Sequence, residues 1–191
     1  DPENVSLQRF TMPSRVSRCA VILTAVGAAL LVSVAAGAQQ RRSLYDRYTE
    51  PIQIFKVGLG TFTKPMSSTN KEAQAFFDQG FQMMYAFAKP EAVRSFREAW
   101  KRDPECAICY WGEAWAWGSY LNAPMTAEES PYAYAAAQKA LSLRSRATPK
   151  ERALIDALAV RYVEKFDGAT RVEQDRAYAE VMQKVSAQYP D

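Results

Sequence analysis

The 191-residue sequence contains no histidine. Histidine is the commonest general base of enzymes and the commonest metal ligand of proteins. Its absence therefore removes the Ser–His and Cys–His nucleophile pairs and most imidazole-based zinc and iron sites. We predict that the chain is not an enzyme and that it has no catalytic residue, no bound metal and no cofactor. An enzyme that uses carboxylates, or a catalytic domain elsewhere in a longer chain, is the remaining catalytic alternative.

An excess of charge of one sign is also lacking. Lys and Arg together number 24 and Asp and Glu number 21, which gives a formal net charge of +3. Proteins that bind nucleic acid rely on a strongly basic surface that neutralises phosphates. A chain this close to neutrality argues against nucleic acid as its partner.

Cysteine is scarce, but two of the three cysteines form the motif Cys106-Ala107-Ile108-Cys109. The motif lies at the start of a predicted helix, where thiols are more reactive than elsewhere. It predicts a structural disulfide or a pair of small buried thiols. A redox-active pair and a soft-metal site completed by a methionine are the alternatives. Haem attachment is excluded, because Tyr110 stands where that motif requires histidine.

Long hydrophobic runs are lacking except near the N-terminus, where residues 20–35 carry no charge. Arg15 and Arg18 precede this run, and the small residues Ala36-Gly37-Ala38 follow it. Positive residues, an apolar run and a small-residue cleavage site make a signal peptide, which we assign to residues 12–38. We expect a periplasmic or secreted protein that meets the membrane only transiently. An uncleaved N-terminal anchor is the alternative. Residues 1–11 read as an upstream extension or a misassigned start.

The rest of the chain is predicted to be all-α. Residues 39–66 form an N-terminal extended or linker segment, and its part 51–65 is expected to lie on the helical body. The helical domain covers residues 67–191. Helices are predicted over 71–87, from Pro90 onwards, over 104–118, over 130–143, from the capping box Thr148-Pro149-Lys150-Glu151 and over 171–188.

Six positions from the first predicted helix to the start of the third are separated by steps of 4, 12, 4, 3 and 5 residues. These steps put small and aromatic residues where helices pack against each other, and the proline suits the first turn of a third helix. The six residues are Phe76, Gly80, Ala92, Phe96, Ala99 and Pro104.

This pattern resembles the tetratricopeptide (TPR) repeat, whose period is about 34 residues. The resemblance implies an α-α superhelix of about three antiparallel helix pairs, and a generic bundle of three helical hairpins is the alternative. The phrases Phe77-Asp78-Gln79-Gly80, Asp103-Pro104-Glu105-Cys106 and Tyr110-Trp111-Gly112 also resemble a group of exported bacterial TPR proteins, over residues 58–191.

The resemblance implies a non-catalytic scaffold that binds a protein or peptide on its concave face, in the bacterial envelope or outside the cell. The alternative is an accessory subunit that handles redox equivalents or a soft metal through Cys106 and Cys109. Because Tyr189-Pro190-Asp191 resembles the junction before another repeat, we expect the helical domain to be truncated at its C-terminus.

The residues next to the repeat positions are expected to line the groove of such a scaffold. An aromatic groove suits an apolar or proline-rich peptide. It does not suit a terminal carboxylate, because Phe77 and Phe81 stand where TPR carboxylate clamps use Lys and Asn. Two alternatives stay open: the rings belong to the core, or residues 52–62 fill the groove from within the chain. The candidates are Phe77, Phe81, Met84, Tyr85, Ile108, Trp111 and Trp115.

Overall fold

Residues 48–190 are described by a computed structural model of the protein. The predicted signal peptide at 12–38, the extension at 1–11 and Cys19 lie outside these residues. The described part is all-α, as predicted, and its one β-element is an isolated bridge between Tyr120 and Ala123. It contains six α-helices: α1 (Lys71–Tyr85), α2 (Lys89–Arg102), α3 (Ala107–Trp117), α4 (Ser130–Ser142), α5 (Pro149–Ala159) and α6 (Arg171–Gln188).

Two of the helices begin at side-chain caps that the sequence signals. The Asn70 side chain accepts hydrogen bonds from the backbone N–H groups of Glu72 and Ala73, both at 3.0 Å, and α1 follows. Thr148 and Glu151 form a reciprocal capping box at the start of α5. Such caps satisfy backbone donors that have no partner inside the helix, which fixes where the helix starts.

The predicted start of α3 at Pro104 is wrong by three residues. The Asp103 side chain accepts a hydrogen bond from the Glu105 N–H at 3.1 Å, and the Asp103 carbonyl accepts one from the Cys106 N–H at 3.1 Å. These bonds hold residues 103–106 in a turn, so α3 begins only at Ala107. Pro104 is exposed on this turn and is therefore not an interhelical packing position.

The other five repeat positions are buried between helices. Ala92, Phe96 and Ala99 have no exposed surface, and Phe76 is 5% exposed. The Phe96 ring lies between the backbones of α1 and α3, at Gly80 and Gly112. Each helix packs against its neighbours in sequence, and α3 also contacts α1 and α5.

Residues 51–66 have no regular secondary structure and run across α1. Ile52 anchors one end in the core with 5% of its surface exposed. At the other end, the Ser67 N–H donates to Glu151 Oε1 of α5 at 2.8 Å. This stretch, residues 51–66, is called the covering segment below. No helix of the described residues is both long and apolar enough to cross a membrane.

Candidate functional site

Five of the seven rings and chains predicted to line the groove meet in one aromatic stripe across α1 and α3. Phe81 lies 5.1 Å from Trp115, 5.8 Å from Tyr85 and 5.9 Å from Phe77, measured between ring centroids. Trp115 stacks on Trp111 at 5.6 Å. Separations of this size are typical of favourable offset and edge contacts. We call these five residues the α1–α3 face.

Exposure differs sharply along the α1–α3 face. Tyr85 is 72% exposed, whereas Phe77 has no exposed surface and Trp111 retains 5%. The Trp111 indole N–H is also occupied, because it donates to the Leu154 carbonyl of α5 at 3.0 Å. Phe77 and Trp111 are therefore the buried members of the α1–α3 face, and Tyr85 is its exposed end.

Of the two remaining predicted groove residues, Ile108 belongs to the core, with 1% of its surface exposed. Met84 is half-buried and packs against the core. At this exposure Ile108 has almost no surface available for contact with a partner.

The covering segment shields the centre of the face. The Phe62 ring stacks on Phe81 with centroids 5.7 Å apart, and the Lys64 ammonium lies 5.5 Å from the Phe81 centroid. Phe81 consequently keeps only 8% of its surface, while Phe62 itself is 52% exposed. The arrangement matches the alternative in which the chain fills the groove from within.

Gln79 binds the backbone of the covering segment with both ends of its side-chain amide. Its Oε1 accepts from the Phe55 N–H at 2.8 Å, and its Nε2 donates to the Gln53 carbonyl at 3.1 Å. Nε2 also donates to Ser95 Oγ at 3.1 Å, and that hydroxyl donates to the Glu91 carbonyl of α2 at 2.7 Å. Because Gln79 is 1% exposed and fixed by α2, it presents a preset donor and acceptor to an extended chain.

Three further polar side chains of α1 hold the other half of the segment. Asp78 accepts from the Lys64 N–H at 2.9 Å through one oxygen and from the Thr63 hydroxyl at 2.7 Å through the other. Gln74 donates to the Lys64 carbonyl at 2.9 Å, and Gln82 donates to the Phe62 carbonyl at 3.1 Å. Most of these contacts are to backbone atoms.

Sequence reasoning missed this row of polar side chains. Gln79 was the detectable member, because it lies on the same side of α1 as the buried Phe76 and Met83 and is itself polar. A polar residue on a buried helix face needs hydrogen-bond partners, and such a position signals a specific contact. Asp78 and Gln82 carry no such signal, because they resemble any solvated residue.

A buried carboxylate lies behind the face. Glu113 of α3 is 4% exposed and accepts from Arg97 at 2.6 Å, from the Trp100 indole at 2.6 Å and from the Trp117 indole at 3.2 Å. Tyr110 lies one turn before Glu113 in α3. Burial raises the pKa of its hydroxyl, and the negative charges of Glu113 and Asp103 raise this pKa further. The carboxylate ties α3 to α2 and has no open side for a substrate.

The cysteine pair lies at the N-terminus of α3 and forms a disulfide, with the two Cα atoms 5.4 Å apart. Cys109 is fully buried and Cys106 is 3% exposed. The Met66 Sδ atom of the covering segment lies 3.8 Å from each of the two Sγ atoms. The disulfide therefore contacts the covering segment directly.

A cavity of about 290 Å³ lies between the covering segment and the helices. It is bordered by Phe77, Ile108 and Leu154, one from each of α1, α3 and α5, and by Lys64, Pro65 and Met66. Within residues 48–190, no group of three or more His, Cys, Asp or Glu side chains is placed to hold a metal ion. Ring faces, side-chain amides and the Asp78 carboxylate make the side of α1 beneath the covering segment suited to binding an extended chain.

No protein-family model, no curated protein and no solved structure matches the chain.

Proposed function

We propose that the chain is a non-catalytic scaffold that binds proteins through an extended peptide, with the α1–α3 face and its row of polar side chains as the binding surface. The observation that carries this proposal is the double hydrogen bond between Gln79 and the backbone at Gln53 and Phe55. Main-chain hydrogen bonds give affinity for any extended peptide, and side-chain contacts then select among peptides.

The selecting contact is aromatic. Phe62 stacks on Phe81, and a cavity of about 560 Å³ borders Phe62, Gln82 and the exposed Tyr85. Rigid rings are efficient anchors in recognition because they bury much surface at little entropic cost. We expect the partner to be a peptide with an aromatic or apolar residue at the position that Phe62 fills.

The finer architecture that we propose is a TPR-like superhelix with the pairs α1/α2, α3/α4 and α5/α6. Connections of three residues (86–88) and four residues (103–106) favour antiparallel packing of α1, α2 and α3. The contacts that α3 makes with both α1 and α5 support a common inner surface formed by these three helices. The covering segment would then occupy the concave side.

Binding of a partner requires that the covering segment be displaced. A tethered segment competes at an effective concentration on the order of millimolar. We therefore expect a labelled peptide with the sequence of residues 51–66 to bind the full chain weakly. The variant Phe62→Ser should bind it more tightly, because its own segment has lost the ring while the added peptide keeps it.

Fluorescence anisotropy of the labelled peptide measures the affinity of each variant for the peptide. Adding Phe81→Leu to Phe62→Ser should remove most of the gain, because only the added peptide still stacks a ring on Phe81, whereas adding Phe87→Leu, the same change at an exposed ring beside Tyr120, should preserve it. If Phe62→Ser binds no more tightly than the unaltered chain, or if Phe81→Leu leaves the gain intact, the proposed binding surface is wrong.

We also propose that the protein is exported by the signal peptide at residues 12–38. A fusion of residues 1–50 to a reporter enzyme that is active only outside the cytoplasm should be active. The double variant Leu30→Arg and Leu31→Arg, which interrupts the apolar run, should silence it. Sequencing the N-terminus of the exported product distinguishes cleavage before Gln39 from an uncleaved anchor.

A further inference from the structure

Three sulfur atoms from two separate parts of the chain converge at the N-terminus of α3. Met66 Sδ lies 3.8 Å from Cys106 Sγ and 3.8 Å from Cys109 Sγ. The methionine is separated from the cysteines by 40 and 43 residues, so the chain brings them together by folding. The three sulfur atoms therefore form a triangle, in which Met66 Sδ is equally distant from the two cysteine sulfurs.

The triangle has the size of a three-coordinate metal site. With metal–sulfur bonds of about 2.3 Å, the sulfurs of a trigonal centre lie about 4 Å apart. Two edges of the triangle already have nearly this length, and the third opens when the disulfide is reduced. Cysteines separated by two residues commonly bind one metal ion together, so the backbone spacing suits both thiolates.

The ligand set selects a soft, monovalent ion. Thiolates and thioethers favour Cu(I), whereas Zn²⁺ takes four ligands from Cys, His or carboxylates. The sequence has no histidine to supply a fourth ligand of that kind. In the part of the chain that the structure covers, no third His, Cys, Asp or Glu completes a site around the cysteine pair.

The sulfurs are shielded from water but have an approach from the surface. Cys109 is fully buried and Cys106 is 3% exposed. Another cavity, of about 330 Å³, borders Cys106 together with Ser68, Asp103 and Arg146. Burial protects Cu(I) from oxidation and hydrolysis, and the polar cavity gives the ion a path to Cys106.

We propose that Met66, Cys106 and Cys109 form a Cu(I) site when the disulfide is reduced. A phosphine or dithiol reductant supplies two electrons, which break the Sγ–Sγ bond, and two protons, which give two thiols. Cu(I) then forms three metal–sulfur bonds and releases both thiol protons. Oxidation of the pair to the disulfide takes away both thiolate ligands, so metal binding depends on the redox state of the cysteines.

Metal binding has a structural consequence that a simple thiol pair lacks. Met66 belongs to the covering segment, and the cysteines belong to α3 and its N-cap. A metal that joins all three sulfurs fastens the covering segment to the helix. This inference stands on the sulfur geometry and holds whether or not a peptide binds the α1–α3 face.

The test uses the full chain with Cys19→Ser, so that Cys106 and Cys109 are its only cysteines. The protein is reduced with a phosphine, freed of reductant without oxygen, and titrated with Cu(I) against a chromophoric Cu(I) chelator. We expect one Cu(I) per chain and three copper–sulfur bonds of about 2.3 Å by X-ray absorption. The oxidised protein should leave the copper with the chelator.

Met66→Leu is the decisive variant, because leucine keeps the apolar volume and removes the sulfur. We expect its Cu(I) affinity to fall by about tenfold or more, and its copper to show two sulfur neighbours. Met125→Leu, the same change at a methionine that is 4% exposed, should bind like the parent. If the reduced parent retains no Cu(I), or if Met66→Leu binds it with unchanged affinity and three sulfur neighbours, the proposed site is wrong.

Discussion

The ring of Phe96 lies directly against the α-carbon of Gly112. A Cβ atom at residue 112 would overlap the ring, and a Cβ atom at Gly80 on α1 would come within 2.9 Å of it. Phe96 has no exposed surface, so the ring is enclosed within the core. One side chain of α2 thus fixes how closely α1 and α3 approach α2.

Gly112→Ala should therefore destabilise the fold. Inserting a methyl group into a closely packed core costs about 1–3 kcal/mol of unfolding free energy. The measurement is urea unfolding followed by circular dichroism, with an unchanged slope and a lower midpoint. Gly168→Ala is the control, because a Cβ there meets its nearest neighbour at an ordinary 3.8 Å. A Gly112→Ala variant as stable as the control would contradict the packing described here.

Removing the buried carboxylate should cost more. Glu113→Ala leaves Arg97 and the indoles of Trp100 and Trp117 without their acceptor. Breaking one partner of a buried ion pair costs about 3–5 kcal/mol of unfolding free energy. Urea unfolding checks this against Glu72→Ala, whose ion pair with Arg102 involves a carboxylate that is 79% exposed. That exposed pair is worth about 0–1 kcal/mol.

The double variant Arg97→Met with Glu113→Met tests the cause of this loss. If the cost arises from an uncompensated buried charge, the pair of changes should recover much of the stability that Glu113→Ala loses. Equal losses in the single and double variants would mean that Glu113 acts through its hydrogen bonds to the indoles.

Local signals explain what the sequence predicted correctly. Asn70 and the Thr148–Glu151 capping box act on backbone groups within three residues, so their effect can be read without the rest of the fold. The prediction at Pro104 is wrong although it also used a local signal. The Asp103 side chain captured the Glu105 N–H and made a turn where a helix was expected.

The exposure of the α1–α3 face could not be predicted from the sequence. Phe81 and Tyr85 are one turn apart with similar side chains, yet Phe81 is 8% exposed and Tyr85 72%. The difference comes from Phe62, which covers Phe81 from a distance of 19 residues in the chain. The hydrophobic periodicity of a helix indicates which of its faces is buried, but it does not indicate which irregular segment covers a given residue.

The backbone contacts of the covering segment give a prediction for single amides. Gln79→Leu should speed hydrogen exchange at the Phe55 amide, because that N–H loses its acceptor. Asp78→Ala should do the same at the Lys64 amide. Each variant is the control for the other, since the two amides depend on different side chains. Exchange that rises equally at both amides in both variants would mean that the segment opens as a unit.

The hydroxyl of Tyr162 should make the fold sensitive to alkaline pH. It donates to the Ala114 carbonyl at 2.9 Å, and the residue is 3% exposed. Burial raises the pKa of Tyr162 to about 12, against about 10 in an unfolded chain. Above pH 10 the unfolded chain loses this proton first, so the unfolding free energy falls as pH rises from about 10 to about 12. This loss amounts to about 2–3 kcal/mol in total, and below pH 10 the unfolding free energy does not depend on the ionisation of Tyr162.

Tyr162→Phe isolates this contribution. Near neutral pH the variant should be less stable than the parent by about 1 kcal/mol, because the Ala114 carbonyl loses its donor. Between pH 10 and 12 ionisation of Tyr162 lowers the unfolding free energy of the parent, and the variant has no such group. The difference in unfolding free energy between parent and variant should therefore shrink and then change sign. Urea unfolding at pH 8 and pH 11 measures it. Tyr85→Phe alters an exposed ring and should keep the alkaline loss of the parent. A difference between Tyr162→Phe and the parent that stays constant with pH would show that the hydroxyl does not control alkaline unfolding.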